Sequence, residues 1–469
     1  MNKRYLILLL AIALCTVQAA AQNLKYVFLF IGDGMGMAQV DGTEMFLAEK
    51  EGIIGTHSLC FTQFPVATMV TTHSATNSVT DSAAGGTALA CGTKTANHLI
   101  GMAADTTTVL TSIAERAKRS GCRVGIVTSV SIDHATPAAF YAHQPDRNMY
   151  YEIGCQLPAS GFDFFAGAGF LDPYGKDAKE AGKPVFDLLG EHGYTLCLGL
   201  DEYADAGNDG GKIVLLSKDP QSKALVTAID RRPGDLTLRQ MTEAAVSTLA
   251  RGDGKGFFLM VEGGKIDWSC HSNDAGAVFR EVEDFDSAVQ VAYDFYLQHP
   301  DETAIVVTAD HETGGLALGD GLYVLGLKAY ASQRLSVEEL SARLTDLRNN
   351  SATTPDWETV RRFLTTNLGF WDTVALTADE EEALREEYHE LFVARHDNEE
   401  ETHYATNARF AAMAIRILDS KAHVSWASTE HSAGYVPLFA IGRGTEAFSP
   451  KMDNTQIAPT LARLAGYAE

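Results

Sequence analysis

Five short segments of the sequence bring carboxylates and imidazoles to the ends of apolar runs. Gly32-Asp33-Gly34-Met35-Gly36 follows Tyr26–Ile31, and Asp133-His134-Ala135-Thr136 follows Val124–Val130. The stretch EGGKIDWSCH, from Glu262 through Asp267 and Trp268 to His271, follows Phe257–Val261. Asp310-His311-Glu312-Thr313 follows Ala304–Thr308, and Glu430-His431-Ser432-Ala433-Gly434 precedes Val436–Ile441. One surface Asp or His is ordinarily a solvated side chain. Repeated at strand ends, the two types together suit cation binding. Asp/His ligation without thiolates fits zinc in an open catalytic site, with oxygen-only positions left for magnesium. The spacing around Asp33 is GxGxG rather than the dinucleotide GxGxxG, and its carboxylate would repel a pyrophosphate. Alone, that motif also suits an ordinary Asp turn.

A sixth segment carries a hydroxyl. Thr80-Asp81-Ser82-Ala83-Ala84-Gly85-Gly86 is rich in small residues, and Ser82 falls where a helix would begin. Backbone N–H groups at a helix start favour an anion, either a serine alkoxide or a bound phosphate. The same residues also fit a plain N-cap.

These side chains need a scaffold that lines up strand ends. The apolar runs are short and rich in β-branched and aromatic residues, with helical periodicity between them. Thr108–Ser120 is predicted helical, burying Val109, Ile113 and Ala117 and stopping at Gly121. Asp235–Ala250, capped by Asp235, and Ala275–Leu297 follow the same logic. The fold expected is α/β, a mostly parallel central sheet with helices on both faces. Ligands then bind beyond the C-terminal strand ends, where the segments lie. Residues 335–421 break the alternation. Capping boxes at Ser336 and Thr377 open helices there, and Glu380–Glu382 and Glu399–Glu401 read as solvated faces. The expected organisation is a catalytic core over 22–334 and 422–469, with 335–421 a helical, crown-like insertion near the active face that takes no part in the chemistry.

Composition narrows the partners. The 469 residues carry 37 Lys+Arg against 61 Asp+Glu, a net charge of −24, which disfavours a nucleic-acid surface. An anionic substrate would need strong local positive charge. Residues 1–21 read as a signal peptide. Lys3 and Arg4 precede the apolar Tyr5–Leu14, with small residues Ala19-Ala20-Ala21 at the cleavage point. That run is too short to span a bilayer, so a secreted or periplasmic protein without a membrane span is expected. Cys60, Cys91, Cys122, Cys155, Cys197 and Cys270 form no CxxC pair, and their compartment permits disulfides without requiring them.

Taken together, FIGDGMG, VTDSAAGGTALACG, HATPAAFYAH, VEGGKIDWSCH, VTADHETGG and EHSAGYVPLFA make the chain resemble the alkaline phosphatases over Asn23–Glu469. The resemblance implies hydrolysis of small-molecule phosphate monoesters through a phosphoserine, two zinc ions and one magnesium ion per chain, and a homodimer. By motif, Ser82 falls on the phosphate-accepting serine, Arg147 on the phosphate-binding arginine and Asp81 on the residue orienting it. Asp267, His271 and His431 fall on the first zinc site, and Asp33, Asp310 and His311 on the second. Asp33, Thr136 and Glu262 fall on the magnesium site. His134 stands where members carry Asp or His, and Trp268 where others carry Lys or His near the phosphate. Trp268 suits plain packing equally. Among relatives of the same architecture, a sulfatase needs a CxPxR-like segment that Ser82 lacks. A phosphodiesterase has less use for a third metal site and Arg147. A non-catalytic, metal-dependent phosphate-binding protein would not need Ser82.

Overall fold

The computed structural model describes residues 24–176, 178, 182–206, 211–251, 254–321, 323–351 and 353–468. The signal segment read at residues 1–21 lies outside them. Ten strands form one sheet: β1 (Tyr26–Ile31), β2 (Val66–Thr71), β3 (Arg123–Thr128), β4 (Phe164–Gly167), β5 (Tyr194–Leu198), β6 (Lys212–Leu216), β7 (Phe257–Glu262), β8 (Thr303–Thr308), β9 (Val436–Gly442) and β10 (Met452–Asp453). Their spatial order is β10-β2-β9-β8-β1-β7-β3-β4-β6-β5. Every pairing is parallel except the two made by β9. The mostly parallel α/β sheet expected from the apolar runs is present, with helices around it.

Central position explains the composition of the middle strands. β7 and β8 are buried along their whole length and β1 from Val27 onward, as strands covered on both faces must be. The long helix Ala275–Gln298 lays Val278, Val282, Phe285 and Val289 into this core, with Phe285 edge-on to Phe30 at 5.9 Å. β2, β4, β5, β6 and β10 were not among the expected runs. β2 alternates between exposed and half-buried positions over most of its length, and β4 and β10 are only four and two residues long.

Two helix starts differ from expectation. The helix expected from Thr108 begins at Ile113, because Ser112 and Glu115 form a reciprocal capping box. Val109 therefore lies outside it and is exposed. The helix expected from Asp235 begins at Leu238, capped by Thr237 and Gln240. Ser336 accepts from Glu339 N, while the Glu339 carboxylate turns to Arg343. Residues 335–421 contain helices Val337–Asn350, Trp357–Leu368, Ala378–Tyr388 and Arg409–Ala422, plus a hairpin of Glu399–Glu401 with Thr406–Ala408. Glu380 and Glu400 pair with Lys421 and Arg416. Cys60, Cys91, Cys155, Cys197 and Cys270 form no disulfide. Among the described residues, no helix is long and apolar enough to cross a membrane.

Candidate active site

The order β8-β1-β7-β3 places four C-terminal strand ends side by side, at the ~4.8 Å spacing of neighbouring strands. Asp310 and His311 leave β8, Asp33 leaves β1, Glu262 ends β7, and His134 and Thr136 follow β3. β9 runs antiparallel to β8, so its beginning lies at this same edge. His431 reaches the cluster for that reason, although it precedes its strand. The ladder between His431–Ser432 and Glu312–Thr313 fixes its approach. Asp267 and His271 sit one turn apart on helix Lys265–His271, on one face. Two glycines permit the close packing. A Cβ on Gly34, whose φ is +69°, would stand 2.8 Å from Asp267 Oδ1, and one on Gly85 would stand 2.9 Å from the Asp310 carbonyl oxygen.

The hydrogen-bond geometry assigns the histidine protons. His271 Nδ1 lies 2.5 Å from the Thr429 carbonyl oxygen and His431 Nδ1 lies 2.9 Å from that of Thr80. Carbonyl oxygens only accept, so both Nδ1 atoms donate, and in the neutral rings both Nε2 atoms expose lone pairs. These Nε2 atoms face each other at 3.2 Å, with Asp267 Oδ2 3.3 Å from that of His271 and Oδ1 3.7 Å from that of His431. Thr313 Oγ1 donates to Asp267 Oδ1 at 2.5 Å, leaving its oxygen to accept from His311 Nδ1 at 3.2 Å. The His311 Nε2 lone pair then faces Asp33 Oδ1 at 3.2 Å and Asp310 Oδ2 at 3.5 Å.

Lone pairs and carboxylates converging in a buried space lack their counter-charge. Asp33 Oδ1 and Oδ2, Glu262 Oε1, Asp267 Oδ2 and His134 Nδ1 are buried with no hydrogen-bond partner. Burial, then the charges of Asp310, Asp267 and Glu262, push the Asp33 carboxyl well above its usual range. Burial foremost raises Glu262 to about 7, and burial with Asp267 and Glu262 raises Asp310 to about 8. Burial opposes ionisation of Asp267 too, but His271, His431 and His311 outweigh it and hold it well below the carboxylate range. Burial and Arg147 push His134 down to about 3. Among the described residues, three groups meet the proximity needed to hold a metal ion: Asp267 with His311 and His431, Asp33 with Asp310 and His311, and Asp33 with His134 and Glu262. Metal cations fit this donor set, since they alone satisfy the orphaned atoms together (uncompensated buried charge is otherwise strongly unfavourable).

The anion side faces this cluster. Asp81 is the N-cap of helix Ser82–Cys91, accepting from Ala84 N at 3.0 Å, so Ser82 is the first helical residue. Its Oγ stands 3.1 Å from His311 Nε2. The other Asp81 oxygen accepts from Arg147 Nη1 at 3.2 Å and from His98 N at 3.0 Å. Arg147 Nη2 lies 3.4 Å from His134 Nε2 and 3.3 Å from the hydroxyl of Tyr404.

His134 stands within reach of Asp33 and Glu262, and Thr136, whose Oγ1 donates to Asp310 Oδ2 at 3.3 Å, also hydrogen-bonds the Glu262 side chain. The Trp268 ring stacks on Tyr404, with centroids 4.5 Å apart and planes 11° apart. Sequence reasoning missed Thr313, Tyr404 and His403, the last stacked on His271 at 5.1 Å. Thr313 had a signal, two residues past His311 in the same motif. Tyr404 and His403 had none. They come from residues 335–421, expected to stand outside the chemistry, and Tyr404 touches Arg147 directly.

A large, mostly parallel sheet whose strand ends carry buried Asp, Glu and His groups that could hold metal ions, beside a serine at a helix start, is the arrangement of an α/β hydrolase. The sequence profile described as alkaline phosphatase matches residues 24–164 and 221–467, and the chain belongs to that family, whose members are phosphomonoesterases. Alkaline phosphatase 3 of Bacillus subtilis is 29% identical over 461 residues, covering 95% of this chain and 90% of that protein. The crystal structure of a cold-active alkaline phosphatase from a psychrophilic Shewanella superposes with a TM-score of 0.79 at 27% identity, covering 94% of this chain and 99% of that one. The alkaline phosphatase of the Antarctic bacterium TAB5, in a histidine-to-aspartate mutant described with Mg bound in the M3 site, gives a TM-score of 0.67 at 26% identity, covering 95% and 99%.

Proposed function

We propose that this chain is an exported alkaline phosphatase that hydrolyses phosphate monoesters through a phosphoserine on Ser82. The observation that carries this reading is Ser82 Oγ at a helix N-terminus, 3.1 Å from His311 Nε2, with Arg147 held by Asp81 beside it. Asp267, His271 and His431 would hold one zinc ion and Asp33, Asp310 and His311 a second, while Asp33, Glu262, Thr136 and His134 surround the magnesium position. When bound, these cations supply Lewis-acid stabilisation of the attacking and leaving oxygens and neutralise the buried carboxylates.

Ser82 Oγ forms a bond to phosphorus as the ester P–O bond breaks, releasing the alcohol with one proton. Water then cleaves the phosphoserine, restoring the Ser82 hydroxyl and releasing inorganic phosphate. The helix N-terminus and Arg147 stabilise the phosphoryl oxygens throughout. In a protein of net charge −24, this local positive field is what captures a dianion. Export is supported by the charged and apolar pattern of residues 1–21. Trapping a phosphoenzyme at acidic pH, and comparing mono- with diester turnover, tests the reading; steady monoester hydrolysis without any trappable phosphoserine refutes it.

Arg147→Ala should lower kcat/KM for an aryl monoester roughly ten- to a hundredfold, the worth of one bidentate charge-assisted contact. Diester side activity should suffer less, because a diester has replaced one of the free oxygens. Arg147→Lys should recover only part, lacking the planar fork. Monoester kinetics equal to the parent's would move phosphate binding elsewhere.

His134→Asp should strengthen activation by magnesium. It would convert the group of Asp33, Glu262 and His134 into an all-oxygen set, the kind magnesium prefers, and the Mg-bound aspartate mutant of the TAB5 enzyme supports this. Titration of activity and of bound magnesium by metal analysis checks it. An unchanged magnesium dependence would leave His134 outside the third site.

A further inference from the structure

From the same cleft, and resting on the phosphatase reading above, we infer that Tyr404 is a positioning residue that aims the Arg147 guanidinium at the phosphoryl group. A guanidinium carries five N–H donors, and a phosphoryl group uses a parallel pair. Its pose must be set by partners on its other hydrogens. Asp81 accepts from Nη1 at 3.2 Å, while Nη2 faces the Tyr404 hydroxyl at 3.3 Å and His134 Nε2 at 3.4 Å, so the two amino groups are gripped from different parts of the chain. Asp81 is 66 residues from Arg147, and Tyr404 is 257 residues from it.

Tyr404 is itself held firmly. It lies in the turn of the hairpin that pairs Glu399–Glu401 with Thr406–Ala408. Thr402 N donates to the Ala405 carbonyl at 2.8 Å and Thr402 Oγ1 accepts from Ala405 N at 3.0 Å, closing that turn. Ala408 N donates to Ser341 Oγ at 2.7 Å, and Arg416 forks onto Glu400 at 2.7 and 3.0 Å, tying the hairpin to two helices. On the cleft side the phenol ring stacks on Trp268 and meets His134 edge-on at 5.5 Å. A flat ring clamped on an indole leaves its hydroxyl little freedom to move off Arg147. The insertion thus contributes to phosphate recognition through Arg147, without touching the phosphate.

Tyr404→Phe removes the hydroxyl and keeps the stack, so melting temperature and metal content should match the parent. KM for an aryl phosphate monoester and Ki for inorganic phosphate should rise together by about three- to tenfold, with kcat changed far less, the worth of one ordinary hydrogen bond. In an Arg147→Ala background the same exchange should have no further effect on either constant. Unchanged KM and phosphate Ki in Tyr404→Phe would overturn the assignment. So would full additivity with Arg147→Ala, or a fall in kcat at constant phosphate Ki. Absence of monoester hydrolysis in the parent would instead refute the phosphatase reading, and direct phosphate-binding measurements on the parent and Tyr404→Phe would still test the Tyr404 contact.

Discussion

Ser82→Ala is expected to reduce monoester turnover by at least about a thousandfold, because it removes the one nucleophile poised at the helix start. The side chain is fully buried and small, and Asp81 rather than Ser82 caps its helix. Fold and metal content should therefore survive, as circular dichroism and metal analysis would show. The helix N-terminus, Arg147 and the bound cations remain in the variant, so a slow residual hydrolysis by water should persist. No phosphoenzyme should be trapped from it at acidic pH. Turnover within tenfold of the parent would remove Ser82 from the reaction.

Exhaustive chelation should abolish activity, and zinc with magnesium should restore it. Four carboxylates, Asp33, Glu262, Asp267 and Asp310, are fully buried in one cleft where Arg147 is the neighbouring permanent cation. Stripping the metals leaves them facing each other and the His271–His431 lone pairs, so thermal stability should fall with activity. The sign of the pH effect follows from the raised carboxyls. Glu262 near 7 and Asp310 near 8 hold protons in the metal-free protein at neutral pH, so reloading must displace them. Apparent metal affinity should therefore drop as pH falls through 8 to 7, and loading should release protons in that window. The Ser82–His311 contact also resembles a metal-free serine–base pair, and the same experiment separates the two. Full activity after chelation would favour the serine–base pair.

Much of the site was legible in sequence because its chemistry is local. Asp33 on its glycine turn, the Asp310-His311 pair, and Asp267 with His271 one helical turn apart all sit directly beside their strands. Their approach to a strand end follows from the two-residue and 3.6-residue periods of the backbone. The helix from Ile113 shows where local reading slips. Periodicity could be extended back to Val109, but the capping box at Ser112 decides the start, and Val109 is left exposed. β2 and β4 escaped notice because short or half-exposed strands carry little pattern. Tyr404 escaped because His403 and the Glu399–Glu401 run before it belong to none of the strand-end motifs and read as a solvated face.

By itself, the sequence determined the α/β class, the residue types of the cleft and the family, since strand-end motifs and apolar periodicity are written within a few residues of each other. Only the tertiary structure decided which strand ends are neighbours, and so which carboxylates lie close enough together to hold a cation. It alone turned β9 antiparallel to bring His431 to the edge its partners leave from, set His134 beside Asp33 and Glu262, and set Tyr404 on Arg147. The physical reason is that strand order and long-range side-chain approach follow from burying the whole sheet at once. That is a property of pairings across hundreds of residues, to which no local window is sensitive.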